Sequence, residues 1–331
     1  MKYLLCPLLF ICALPFLASL PAQAIVNVIV DTDIGPDCGD VNAIVVLHGL
    51  ADRGEVNILA TICDASNPWG APCLDALNTF YGRPWIPVGT LKDPGLLTDY
   101  GSYNRELAVH FPHALKSGKD APDATKIFRQ ILAAQPDKGV VIVAIGPLRN
   151  LSNLPNSAPD SYSSINGRDL VDKKVSVLSD MGGWYPFVPK GWGAEWNFAQ
   201  DVASTANVVS NWPTPVLYSG AEIGGGIYTG HRHAIDTVEY DPLAMAYAVA
   251  VDVGFGGFRM SWDETACIYG VRGLSNYWTS VTGRNHVLPD GGNVWSASTD
   301  GNQSYLTRQG LRPARHVGYR MFGWSGVALP V

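Results

Sequence analysis

Basic runs are missing from this chain of 331 residues, and with them the electrostatic footprint of a nucleic-acid binder. Charge of either sign is sparse. Asp, Glu, Lys and Arg make up 16% of the residues against 47% hydrophobic types, enough apolar material for a large buried core. No internal repeat, low-complexity tract or linker interrupts the sequence, which argues against a repeat array or a disordered tail. Cysteine is scarce as well. Cys6 and Cys12 sit near the start, and Cys38, Cys63, Cys73 and Cys267 follow without the spacing of a zinc site. Beyond the N-terminal run, no apolar stretch is long enough to cross a bilayer.

That N-terminal run has its own logic. Lys2 precedes an apolar segment from Tyr3 to Leu20, and Pro21-Ala22-Gln23-Ala24 closes it. One positive charge, an apolar stretch and a small-x-small end read as a secretory signal peptide cleaved after Ala24. A membrane anchor is the competing reading, disfavoured by Pro15 and by the shortness of the run. The expectation is an exported protein, periplasmic or secreted, with residues 1–24 removed, no membrane attachment, and residues 25–331 as a single domain. Lys2 is the only charged residue lost, so 23 basic residues become 22 against 29 acidic ones, and the net charge moves from −6 to −7. In an exported chain Cys63 and Cys73 could pair. Two buried free thiols are the equal alternative, because Cys is among the most buried residue types.

Short β-rich runs alternate with helical patterns along the rest of the chain. Strands are expected at 28–30, 56–62, 86–88, 140–145, 175–178 and 216–218, and helices at 40–51, 71–81 and 125–134. The 140–145 run is apolar throughout, as in a parallel sheet covered on both faces. The pattern predicts an α/β fold with an open, mostly parallel, Rossmann-like sheet and helices on both faces. The Gly- and Trp-rich stretch 182–197 and the segment 220–235 read as loops. The last fifty residues read as a small β excursion and a terminal appendage.

The first strand ends in Asp31-Thr32-Asp33-Ile34-Gly35-Pro36-Asp37-Cys38-Gly39-Asp40. Four carboxylates so close repel one another and raise one another's pKa. A hard cation such as Ca²⁺ or Mg²⁺, which takes oxygen ligands, resolves that conflict. Open α/β sheets bind ligands at the C-terminal ends of their strands, so a metal site is expected there. Other strand ends carry polar residues too: Asp64-Ala65-Ser66-Asn67, Gly146-Pro147-Leu148-Arg149-Asn150, and Asp180-Met181-Gly182-Gly183 with Gly193-Ala194-Glu195-Trp196-Asn197 after it. Ser261-Trp262-Asp263-Glu264-Thr265-Ala266 opens a later helical pattern.

Taken together, the opening motif, Gly-Pro-Leu-x-Asn at 146–150, Met-Gly-Gly at 181–183, Ala-Glu-Trp-Asn at 194–197 and Trp-Asp at 262–263 resemble nucleoside hydrolases of the inosine/uridine-preferring superfamily. The motifs stand in that family's order and span nearly the whole mature chain. The resemblance implies the nucleoside hydrolase fold, a Ca²⁺ cofactor and cleavage of a nucleoside to ribose and free base. It implies calcium ligands at Asp33, Asp40, the Ile145 carbonyl and Asp263. It places Asp33 as general base and Asn67, Glu195 and Asn197 on the sugar. Some relatives carry a His where this chain has Trp262, and Trp262 is similar to the purine-preferring branch. An indole cannot act as a general acid at neutral pH but can stack on a purine, so purine nucleosides are expected. A homo-oligomer is implied by the resemblance alone.

One departure stands out. The family has paired aspartates where this chain has Gly39-Asp40, and the first of that pair contacts a ribose hydroxyl. Asp37 could compensate from two residues upstream. Otherwise the chain is a non-catalytic nucleoside- or ribose-binding protein, or takes a different ribosyl substrate. An aspartate restored at position 39 would then raise the rate of a decayed enzyme.

Other readings compete at single positions. Asp31 and Asp33 could be the nucleophile pair of a haloacid-dehalogenase-like phosphotransferase, but Ile34-Gly35-Pro36 does not fit and no convincing later lysine and acidic pair follows. Asp31 could cap backbone N–H groups, and Asn67 could hold a turn before Pro68. Trp184 and Tyr185 could line a base pocket or simply pack. Asp241 competes with Asp263 for the last metal position. His231 and His233, two apart in a Gly-rich stretch, read as surface residues rather than a metal pair.

Overall fold

The computed structural model describes residues 24–35, 37–98, 101–230, 240–250 and 257–308. The apolar N-terminal run, His231 and His233 lie outside these residues. Strands β1 (Val26–Thr32), β2 (Val56–Cys63), β3 (Val88–Thr90), β4 (Val140–Ala144), β5 (Val175–Met181) and β6 (Val216–Ser219) alternate with helices. The helices are α1 (Cys38–Asp52), α2 (Gly70–Phe80), α3 (Tyr103–His110), α4 (Ala124–Ala134), α5 (Arg149–Asn153), α6 (Gly167–Lys174), α7 (Trp196–Gln200) and α8 (Val202–Asn211). Then come α9 (Ala221–Gly224), β7 (Tyr228–Thr229), α10 (Pro242–Val249), β8 (Arg259–Met260) and α11 (Trp262–Arg272). Strands β9 (Trp278–Val287), β10 (Asn293–Ala297) and β11 (Gln303–Arg308) complete the described chain.

Nine strands form one sheet in the order β10-β9-β11-β6-β5-β4-β1-β2-β3. From β3 to β11 every neighbouring pair is parallel, and only β9 and β10 run against their neighbours. The fold is therefore α/β with a mostly parallel sheet, as expected. The expected β excursion is β9–β11, which extends this same sheet. The strand order reverses between β1 and β4, and ligand crevices of open α/β sheets lie at such switch points.

Side-chain alternation along the strands builds two cores. Val28 and Val30 of β1, with Val141, Val143 and Ile145, pack on one face against α1, α2, α10 and α11. Ile29, with Val140, Ile142 and Ala144, packs on the other face against α4 and α8. Strands buried on both faces explain why their sequences read as continuous apolar runs rather than alternating ones. Away from the sheet, Arg129 of α4 is buried and holds Asp160 at 2.8 and 3.2 Å, the Ser157 hydroxyl, and the carbonyls of Ser163 and Ile165. Cys38, Cys63, Cys73 and Cys267 are all buried, and none of them forms a disulfide. No helix among the described residues is long and apolar enough to cross a membrane.

Candidate metal centre and active site

The switch point is where the acidic motif arrives. Asp31, the penultimate residue of β1, pairs in register with Ala144 at the end of β4, and its carbonyl accepts the Ile145 N–H at 2.9 Å. Strand β1 and residue 145 thus deliver Asp31, Asp33 and the Ile145 backbone to one spot. Two helices begin at the same place. Asp37 caps α1 and Asp40 lies in its first turn, while Asp263 lies in the first turn of α11, which packs beside α1. The partial positive charge of a helix N-terminus favours carboxylates in its first turn.

Asp37, Asp40 and Asp263 each offer a carboxylate oxygen, and the three oxygens lie within 4.8 Å of one another. Asp33 borders this triad. Its Oδ2 is buried with no hydrogen-bond partner, and Asp40 and the Trp196 indole act on its carboxylate as hydrogen-bond partners. Asp40 also accepts the Thr32 hydroxyl. Behind them, Asp31 accepts the Asn150 amide at 2.9 Å, and both oxygens of fully buried Asp64 have no partner. Burial drives the Asp33 carboxyl up to about 8, with the Asp37 charge adding to it. Burial likewise holds Asp31 up at about 8, opposed by Asn150 and helped by Asp33. Asp40, Asp64 and Asp263 are pushed well above the usual carboxylate range, first by burial and then by one another's charges.

Such a cluster is costly as it stands, because buried carboxylates need a partner. The donor set is all oxygen, which suits a hard cation and not a soft one. Asp37, Asp40 and Asp263 could therefore hold a hard divalent cation, with the unpartnered buried oxygen of Asp33 beside them. Cys38, whose soft thiol would suit calcium poorly, is buried in the core beside Tyr247. Asp241, the competitor of Asp263, is the N-cap of α10, accepting from Leu243 and Ala244 N–H.

The remaining expected residues are each hydrogen-bonded within the protein. Asp37 accepts the Gly39 N–H with Oδ1 and the Arg259 guanidinium with Oδ2. Asn67 accepts the Trp69 N–H at 2.8 Å, which is the turn role. Glu195 caps α7, taking the N–H groups of Asn197, Phe198 and Gly183 at 3.0 to 3.2 Å; burial raises its carboxyl to about 7 against those bonds. Asn197 donates to the Met181 carbonyl at 3.0 Å. Trp262 donates its indole N–H to the Ala221 carbonyl at 2.8 Å, and the Arg259 guanidinium lies 4.6 Å from its ring centroid. Tyr185 packs among Tyr218, Trp295 and Tyr305, whereas Trp184 meets Trp192 edge-on at 5.2 Å.

Three features escaped the sequence. Arg259, from the small β7–β8 ribbon, carried no motif; its only signal was its position three residues before Trp262. Trp196 stood inside a recognised motif, but its contact with Asp33 spans the sheet and leaves no local trace. Asp64 was visible as a strand-end acid, yet its burial against Asp31 and Asp33 is a product of strand register.

No family model matches the sequence, and no curated protein matches it. Solved structures do match in shape. The inosine-uridine preferring nucleoside hydrolase from Bacillus anthracis aligns over 87% of this chain and 95% of its own, with a TM-score of 0.64 at 14% identity. The purine-preferring ribonucleoside hydrolase from Gardnerella vaginalis aligns over 85% and 92%, with a TM-score of 0.64 at 15% identity. The type III effector protein XopQ, solved in complex with adenosine diphosphate ribose, aligns over 86% and 88%, with a TM-score of 0.61 at 13% identity. The chain thus has the nucleoside hydrolase fold, in agreement with the motifs read from its sequence.

Proposed function

We propose that this protein hydrolyses the N-glycosidic bond of a ribonucleoside, preferring purines, with one calcium ion held by Asp33, Asp40, Asp263 and the Ile145 carbonyl. The observation that carries the reading is the buried Asp33 oxygen without a partner, facing an acidic triad at the switch point of a nucleoside hydrolase fold. When bound, the ion would gather the vicinal ribose hydroxyls and lower the pKa of a water. Asp33 is the general base, its carboxylate taking the proton of the attacking water. The surrounding carboxylates favour the positive charge that develops on the sugar as the bond breaks. In this reading Asp37, Asn67, Glu195 and Asn197 orient the sugar. Trp262 offers an aromatic surface to the leaving base, whose own basicity takes up a proton from solvent. Export through the N-terminal run suits a scavenger of extracellular nucleosides; an uncleaved, cytoplasmic protein on cell fractionation would refute that part.

Gly39 favours a second reading, a nucleoside- or ribose-binding protein without turnover, or a hydrolase of another ribosyl compound. The test is ribose release from purine and pyrimidine nucleosides and from adenosine diphosphate ribose, with calcium or a chelator, for the wild type and Asp33→Ala. Calcium-dependent release that disappears in Asp33→Ala supports the hydrolase. Calcium binding with no release from any nucleoside would overturn it in favour of the second reading.

A further inference from the structure

The stretch after β5 carries Gly183 and Trp184 and runs to Glu195, the N-cap of α7, and Trp196, its first residue; it is the wall of the proposed site that meets Asp33 through Trp196. It is fastened to the C-terminal strands. Asn293, first residue of β10 and 1% exposed, accepts the Trp184 N–H at 2.9 Å through Oδ1. Its Nδ2 donates to the Trp184 carbonyl at 3.0 Å and to Asn285 Oδ1 at 3.1 Å. Asn285 in turn donates its side-chain amide to the Tyr185 hydroxyl at 2.9 Å and its backbone N–H to Gln303 Oε1 at 2.8 Å. Further along, the Trp295 N–H reaches the Pro186 carbonyl at 3.0 Å, and Phe187 bridges Val294. At the near end, the Gly183 N–H is held by Glu195.

We propose that Asn293 is a positioning residue for the substrate cleft, fixing the Trp184 backbone and through it the Gly183–Glu195–Trp196 wall. A residue whose own N–H and C=O, on two successive peptide groups, are both held by one buried amide cannot change its φ or ψ without breaking a hydrogen bond and stranding a polar group. The antiparallel β9–β11 extension thereby acquires a use, that of holding one side of the cleft in register with the parallel sheet.

This inference rests on the hydrolase reading only for its kinetic arm. Asn293→Leu removes the whole clamp, while Asn293→Asp keeps the acceptor for the Trp184 N–H. Hydrogen–deuterium exchange is measured across the chain, calcium affinity by titration calorimetry, and kcat and KM on the best nucleoside. In Asn293→Leu, exchange should rise at 183–197 and stay unchanged in β1 and α1, with calcium affinity intact. KM should rise about tenfold, the equivalent of one or two hydrogen bonds, while kcat changes less than about twofold. Asn293→Asp should fall between wild type and Asn293→Leu in exchange at 183–197. Unchanged exchange at 183–197 would overturn the proposal, as would exchange rising equally in every strand, the sign of a purely structural residue. If the wild type turns over no nucleoside, the hydrolase reading fails while the exchange arm still decides this one.

Discussion

Asp37 and Arg259 face each other across the rim of the acidic cup, with the guanidinium nitrogen 2.7 Å from Asp37 Oδ2. The other Asp37 oxygen takes the Gly39 N–H at 2.6 Å. Both oxygens of Asp37 are therefore committed to the protein, and the space that admits this arrangement is the missing side chain of Gly39. A Cβ there would overlap Asp263 Oδ2 and lie 2.7 Å from Asp37 Oδ1. Gly39 is a packing requirement for these two carboxylates, which reverses the effect that the sequence suggested for an added aspartate. Gly39→Ala and Gly39→Asp should both weaken calcium binding, by about tenfold or more if Asp263 is displaced as a ligand. Calorimetric titration checks this, and a rate gain in Gly39→Asp would refute it.

Trp196 makes a prediction about pH. Its indole N–H favours the charged form of Asp33, opposing the burial that raises that carboxyl. Trp196→Phe keeps the ring and removes the donor, so the Asp33 pKa should climb by about one unit, the worth of one hydrogen bond to a charged group. The acidic limb of the pH–rate profile should shift upward by that amount, with the alkaline limb unmoved.

Much of this was legible before any fold was drawn. The alternation of apolar runs with helical patterns gave the parallel sheet, because strands covered on both faces need continuous hydrophobic sequence. The Asp31–Asp40 motif gave the acidic cup, because no local structure can dissipate that charge. Arg259 and Asn293 were invisible for one physical reason. Each acts through tertiary hydrogen bonds that span more than a hundred residues, to Asp37 and to Trp184, and neither belongs to a periodic pattern. Glu195 was recognised, but not that its carboxylate holds three backbone N–H groups, since the Gly183 N–H comes from another turn of chain.

Arg129 separates stability from activity. Its guanidinium ties the 154–166 connection to α4 through Asp160, Ser157 and two carbonyls, on the face of the sheet away from α1 and α11. Arg129→Ala leaves the Ser157 hydroxyl and the Ser163 and Ile165 carbonyls without this donor and should cost about 1–3 kcal/mol. Chemical denaturation should report the loss, while the folded fraction keeps its wild-type KM.

The acidic cup sets how stability depends on pH. Asp31 and Asp33 titrate near 3.8 when unfolded and at about 8 when folded without a cation. Between those values the folded chain holds protons that the unfolded chain has released, so its stability falls as pH rises. The contribution from these neutral carboxyls is complete below about pH 4 and is lost as pH passes about 8. The chelated protein should therefore melt at a lower temperature at pH 8 than at pH 5. Calcium reverses the trend, because it needs the charged carboxylates and releases their protons on binding. At pH 8 a free calcium concentration about 100-fold above Kd should add about 2.7 kcal/mol. At pH 5 the same concentration should add less, because protons compete for the same oxygens. Thermal melts at both pH values, with calcium and with chelator, measure the four stabilities. Equal melting temperatures across all four would mean that the cup neither stores protons nor binds the ion.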